Sequence, residues 1–226
     1  MESHIALRAD NIVKYFYEPE KFQVLKGLSF EVKKGEFLTL TGKSGSGKST
    51  LLYVLSTMDT DYEGGLHING EALTGRSQNQ LAAFRNAHIG FVFQFHYLLT
   101  DFTVLDNVML PALKLNQKSK AEIEAKAYQN LKLLGLADQA LKLASKLSGG
   151  QQQCVAIARA LINDPAVIMG DEPTGNLDSK NTQNVFEIFR ELAHERGQTI
   201  IAVTHDDDFA RNSDRVIDMS DGLIVS

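Results

Sequence analysis

The densest chemistry in the sequence lies in Gly42-Lys43-Ser44-Gly45-Ser46-Gly47-Lys48-Ser49, with Thr50 next. The spacing G-x-x-x-x-G-K-[ST] is that of a loop that holds the phosphates of a nucleoside triphosphate. Glycines at 42, 45 and 47 let the backbone curl so that successive N–H groups point inward at phosphate oxygens. The helix that starts there adds the positive end of its dipole. Lys48 is placed to reach the β- and γ-phosphates, and the Ser49 hydroxyl to ligate Mg²⁺. A Gly/Ser-rich turn before an ordinary helix is the plainer reading, and the flanking strand and helix count against it.

Phosphoryl transfer further needs charge neutralisation and one oriented water. Asp171, at the end of an apolar strand, suits Mg²⁺ held through a coordinated water. Glu172, next to it and pointing elsewhere, suits a base for the attacking water. Gln94 is placed to orient that water or touch the metal, and His205 to hydrogen-bond the γ-phosphate. The candidate ligands are oxygen donors, which favours Mg²⁺ over a softer metal. Taken singly, Gln94 reads as a surface amide, Asp171 as a helix cap and His205 as a turn residue. Together with the loop at 42–49 they occupy four strand ends, where ligands of parallel sheets bind.

Those ends imply buried strands at Phe37–Thr41, Ile89–Phe93, Val167–Gly170 and Thr199–Val203, and a helix Ser49–Leu55 leaving the loop. Upstream, Ile5–Ala9 and Leu28–Val32 alternate as an antiparallel pair about a loop at Tyr15–Glu20. Its three aromatics suit stacking on a purine or ordinary packing. Leu66–Ile68 with Asn69-Gly70 reads as strand and turn, and Ser77 as the cap of a helix to about Asn86. Thr103–Leu113 is helical with a stop or kink near Pro111. Ser119–Leu134 is amphipathic, with Ile123, Ala127, Leu131 and Leu134 on one face and Gly135 as its stop. Leu147-Ser148-Gly149-Gly150-Gln151 opens a helix to about Ile162. A helix over 181–196 and a hairpin about Asp221-Gly222 follow. The expected fold is α/β: a mainly parallel sheet, an antiparallel β subdomain and an inserted α-helical subdomain at about 96–160, in one domain over 1–226.

The 226 residues carry a net charge of −5, which argues against a nucleic-acid surface. A single cysteine, Cys154, cannot close an internal disulfide, so a reducing compartment is expected. The start of the sequence lacks a signal-peptide pattern, and no apolar run reaches the roughly 20 residues of a membrane span. A soluble chain is expected, able to sit on a partner that is not.

Leu147–Gln151 resembles the signature motif of ABC-type ATPases. Asp171-Glu172-Pro173-Thr174-Gly175-Asn176-Leu177-Asp178 is similar to their Walker B and D-loop, and Thr204-His205-Asp206 to their switch histidine. With the phosphate loop and Gln94, the motifs stand in family order over essentially the whole chain. The resemblance implies an ATPase that works as a head-to-tail dimer of two copies, each ATP·Mg²⁺ lying between one phosphate loop and the other signature. Ser148 and Gly150, with Gly149, Gln151 and Asp178 beside them, would then serve the partner's ATP. A second helix start of the Ser-Gly-Gly kind is itself an anion site, superfluous unless it serves another phosphate. The adenine-stacking aromatic implied is Phe16, after Lys14-Tyr15, with Tyr15 and Tyr17 as alternatives.

Gly175–Asp178, and Gln94–Leu99 running into Asp101–Val108, resemble the ATP-binding subunits of bacterial lipoprotein-releasing systems. ATPases of macrolide exporters and of cell division are close behind. The implied partners are transmembrane permease subunits, engaged from the cytoplasmic face of the inner membrane. Their coupling helix would dock near Gln94 on Phe95, Tyr97, Leu98, Leu99 and Phe102, for which core packing is the other reading. Soluble ABC ATPases of DNA repair or the ribosome carry long coiled coils or paired domains, which this sequence lacks. A non-hydrolysing sensor is disfavoured by Glu172. Three positions depart from the family: Cys154 stands where Arg is usual, Ala144 where Pro is frequent, and Lys43 where an uncharged residue is usual.

Overall fold

A computed structural model describes residues 4–225; residues 1–3 and 226 of the expected 1–226 domain lie outside them. In chain order the elements are β1 (Ile5–Phe16), β2 (Phe22–Lys33), β3 (Phe37–Gly42), α1 (Lys48–Leu55), β4 (Glu63–Ile68), β5 (Glu71–Ala72), α2 (Gln78–His88), β6 (Ile89–Val92), α3 (Val104–Leu115), α4 (Lys120–Leu133), α5 (Gly149–Ala160), β7 (Val167–Asp171), α6 (Ser179–His194), β8 (Thr199–Val203), α7 (Asp207–Arg211), β9 (Arg215–Ser220) and β10 (Leu223–Ile224).

Six strands form one sheet in the order β10-β9-β3-β8-β7-β6. Neighbours from β9 through β6 run parallel, and β10 closes the edge antiparallel. Every residue of β8 is buried, as a strand covered on both faces requires. A second sheet, β2-β1-β4-β5, is antiparallel. One apolar core fills the space between it, α1 and the main sheet; another lies among α3, α4, α5, α6 and the opposite sheet face.

The strand pair near the N-terminus is longer than its alternation suggested. Tyr15 and Phe16, expected in a loop, end β1 and pair with Gln23 and Phe22. Cross-strand partners suit such aromatics as well as a loop would. Pro111 neither stops nor ends α3, which continues to Leu115 and is capped by Asn116 in the left-handed region. Val108, Met109 and Ala112 are buried on both sides of the proline. Their burial, about 1.5–3 kcal/mol for a large apolar side chain, offsets the roughly 3 kcal/mol that a helical proline costs. Helix α6 starts at Ser179, earlier than expected, because Asp178 accepts from the Asn181 N–H. Helix α5 ends at Ala160 rather than Ile162. Helix α7 was not read from the sequence; Asp206 caps it through the N–H groups of Asp208 and Phe209.

Candidate functional site

The turn from β3 into α1 can only be built with glycine at its first position. Gly42 has φ 134, and a Cβ there would lie 2.1 Å from the Met219 carbonyl oxygen of β9. Lys48, buried at the start of α1, donates from Nζ to the carbonyls of Gly42 at 2.7 Å and Lys43 at 3.0 Å. Two of its three hydrogens thus brace the loop, and one is left for a phosphate. The Ser46 hydroxyl is buried in the same turn without a partner among the described residues. A cavity of about 490 Å³ opens here, lined by Gly42, Ser44, Gly45 and residues 47–50, with Glu172 and His205 across from them. The unusual Lys43 is exposed, its carbonyl taken by Lys48.

The adjacent carboxylates of Asp171 and Glu172 take separate partners beside this cavity. The Ser49 hydroxyl donates to Oδ1 of Asp171 at 2.9 Å. Tyr53, one turn further along α1, donates to Oδ2 at 2.9 Å. Burial first, then that bond to Asp171, pushes the Tyr53 phenol up to about 12, so it remains a donor at neutral pH. Ser49 keeps its lone pairs while donating its hydrogen. An oxygen-only corner of this kind fits Mg²⁺, which takes one or two protein oxygens and completes its shell with water and phosphate. Tyr53 was missed in the sequence, where it reads as one more core residue; its signal is the spacing of four from Ser49, which puts both on one helix face.

Glu172 turns away from that corner. Its φ of 46 is left-handed, and its Oε2 lies 2.7 Å from Nδ1 of His205. A Cβ on Gly175 would meet Gln94 Nε2 at 2.8 Å and Glu172 Oε2 at 3.1 Å. The ends of β6, β7 and β8 therefore bring Gln94, Glu172 and His205 to one place, opposite the phosphate loop.

The signature residues stand apart from this cavity. Among the described residues, Ser148, Gly149, Gly150, Gln151 and Asp178 do not line it. Ser148 caps α5 by accepting from the Gln151 N–H, while the Gln151 side chain accepts from the Ser148 N–H at 3.1 Å. The caps of α2, α3 and α4 (Ser77, Thr103 and Ser119) also donate their hydroxyl hydrogens to the side chain three residues on. Ser148 makes no such bond among the described residues, so its hydroxyl hydrogen is uncommitted. Gly149 has open space around it, whereas Gly150 abuts Asn181, which is bonded to Asp178.

Phe16 is half exposed at the end of β1 and does not line the cavity. The buried Lys14 ammonium, held by Asp59 at 2.9 Å and Asp61 at 3.2 Å, sits 5.5 Å from the Phe16 ring centre. Tyr15 and Tyr17 both pack on Lys21 instead. Alternation along the strand separates these two from Phe16. Cys154 is buried in the helical core, and burial pushes its thiol up to about 11. Asn184 reaches its sulfur at 3.9 Å. Ala144 is buried as well.

Beyond Gln94 the chain turns outward. Phe95, Tyr97, Leu99 and Phe102 are 45–65% exposed, while Leu98 packs against the helical core. Core packing is therefore not their role, Leu98 excepted. Arg159 of α5 donates to the carbonyls of His96 at 2.7 Å and Tyr97 at 2.9 Å, tying this turn to the signature helix. Burial, then the Arg159 charge, holds the His96 imidazolium below its ordinary range.

The sequence matches the family described as ABC transporter over residues 25–175. It is similar to the lipoprotein-releasing system ATP-binding protein LolD of Aquifex aeolicus (strain VF5), 46% identical over 219 residues, covering 97% of this chain and 96% of that protein. The protein of the same name in Bacteroides thetaiotaomicron is 44% identical over 218 residues, covering 96% of this chain and 98% of its own. Among solved structures, the dimeric bacterial ABC transporter cassette MJ0796 is similar with a TM-score of 0.89 at 37% identity, covering 97% of each chain. The dimeric post-hydrolysis state of that cassette, bound to ADP and Pi, is similar with a TM-score of 0.88 at 37% identity.

Proposed function

The chain belongs to the ABC transporter family, and from that premise we propose that two copies of it clamp ATP·Mg²⁺ head to tail and power a membrane permease that releases lipoproteins. It is an ATPase that binds nucleotide. The observation that carries the reading is the split of the site. The loop, Glu172 and His205 line one cavity, with Asp171 bonded to Ser49 at its edge and Gln94 beside Glu172, while the signature helix start stands outside it with a hydroxyl hydrogen uncommitted among the described residues.

In this reading residues 1–226 are one cassette whose helical part spans about 96–160. The N–H groups of residues 42–50 and Lys48 cradle the triphosphate. Phe16 stacks on adenine, the Lys14 charge fixing its ring. Ser49 and Asp171, with Gln94 nearby, would hold Mg²⁺, which when bound would supply positive charge to the phosphate oxygens. A water held by Gln94 attacks the γ-phosphorus and gives its proton to Glu172; the bond to the bridging oxygen breaks, leaving ADP and phosphate. His205 orients Glu172 through their 2.7 Å contact and hydrogen-bonds the γ-phosphate. From the second copy, Ser148 donates its free hydrogen to the same phosphate, with Gly149, Gly150, Gln151 and Asp178 around it. No helix of the described residues is long and apolar enough to cross a membrane. The work is therefore passed on by docking at the cytoplasmic face of the inner membrane, where Phe95, Tyr97, Leu99 and Phe102 offer an apolar surface to the permease.

Glu172→Gln tests the core of this. Turnover should fall by about a hundredfold or more, the usual scale for a lost base, while ATP binding persists and dimers accumulate by light scattering. A variant that stays monomeric with ATP and Mg²⁺ would rule out the head-to-tail clamp. Release of a lipidated protein from vesicles holding chain and permease, lost in the same variant, tests the cargo.

A further inference from the structure

We propose that Tyr53 is a positioning residue for the metal-holding carboxylate: its phenol fixes Oδ2 of Asp171, so that the carboxylate plane and its Oδ1 are presented to Ser49 and the cation. The proposal rests on the reading of Ser49 and Asp171 given above. An aspartate carboxylate turns easily about its last torsion, where the wells are broad and roughly two-fold. Here both oxygens are bonded from one face of α1, by Ser49 at 2.9 Å and by Tyr53 at 2.9 Å, which leaves a single orientation. In that orientation Ser49 spends its hydrogen on Asp171 and keeps its lone pairs for a cation.

The donor is itself held. The Tyr53 ring packs on Phe91 of β6 with centres 6.1 Å apart, and Phe91 lies 4.4 Å from Phe93. Phe93 meets Tyr97 edge-on at 5.2 Å. A ring wedged at the end of such a row cannot swing its hydroxyl away from Asp171 without moving its neighbours. The apolar surroundings also strengthen a hydrogen bond to a charge. A part-buried phenol that merely satisfies itself on the nearest oxygen would contribute to folding alone, and the two roles are separable by experiment.

Tyr53→Phe keeps the ring and the row and removes only the hydroxyl. Affinity for a fluorescent ATP analogue is measured in EDTA, and the Mg²⁺ concentration that half-saturates the nucleotide complex is measured in parallel. Mn²⁺ binding followed by electron paramagnetic resonance serves as a readout independent of turnover. The expected result is a metal requirement raised about tenfold, the lower end for losing a partner behind a ligand, with affinity in EDTA within about twofold of the parent. Tyr53→Gln, which can return a donor, should recover part of the loss. An unchanged metal requirement in Tyr53→Phe, or equal losses with and without metal, would overturn the proposal. A parent chain whose nucleotide affinity ignores Mg²⁺ would instead overturn the underlying metal corner, and this proposal with it.

Discussion

Two adjacent glycines at the start of α5 should respond in opposite directions to the same added methyl. A Cβ on Gly150 would lie 2.3 Å from Oδ1 and 2.5 Å from Cγ of Asn181, more than 1 Å inside contact distance, whereas one on Gly149 meets nothing within 4 Å. Gly150→Ala must therefore push the Asn181 side chain off its 2.9 Å bond to Asp178, a loss of about 1 kcal/mol. Crowding adds roughly 1–3 kcal/mol, and the better helix propensity of alanine returns about 1 kcal/mol. The net destabilisation is about 2 kcal/mol, or a fall in Tm of about 4–8 °C for a chain of this size. Gly149→Ala carries only the propensity gain and should be neutral or slightly stabilising. Urea unfolding of the two variants beside the parent, followed by circular dichroism, reads the difference directly. Equal midpoints for the two alanine variants would refute the claim that α5 and α6 meet at Gly150 and Asn181.

His96 should make the fold acid-sensitive. Its folded pKa lies below the ordinary value of 6.5, so the unfolded chain takes up the proton first as pH falls. The stability contributed by the neutral imidazole is thus present above about pH 6.5 and is lost as pH drops from there through the folded pKa. Urea midpoints at pH 7.5 and 5.5 should differ less in His96→Gln than in the parent. Cys154, buried and with its thiol pushed up to about 11, should resist alkylation by iodoacetamide at pH 8 in the folded chain and react on unfolding, as mass spectrometry would read.

Residues whose chemistry is declared by their place at the end of an apolar run were legible in the sequence. Asp171, Glu172, Gln94 and His205 each follow an apolar strand; the ends of β6, β7 and β8 bring Gln94, Glu172 and His205 together, and Asp171 meets Ser49 of α1. The helix cap at Ser77 was readable for the same local reason, a small hydroxyl residue just before a helical run. What escaped depends on tertiary contact. Tyr53 sits in an apolar helix and looks like core until Asp171 is beside it. Pro111 reads as a breaker until the packing of Val108, Met109 and Ala112 is known. The exposure of Phe95 and Tyr97 has no signature in composition, because an aromatic residue is as much at home inside as out.

One oxygen atom at the cap of α5 is free for a second duty beside its first. The lone pair of the Ser148 hydroxyl secures the helix start to Gln151, while its hydrogen has no partner among the described residues. In the proposed head-to-tail clamp, docking of a second copy at this helix start would break none of its hydrogen bonds among the described residues. Closure and reopening of such a pair would then recur without a refolding penalty at that point.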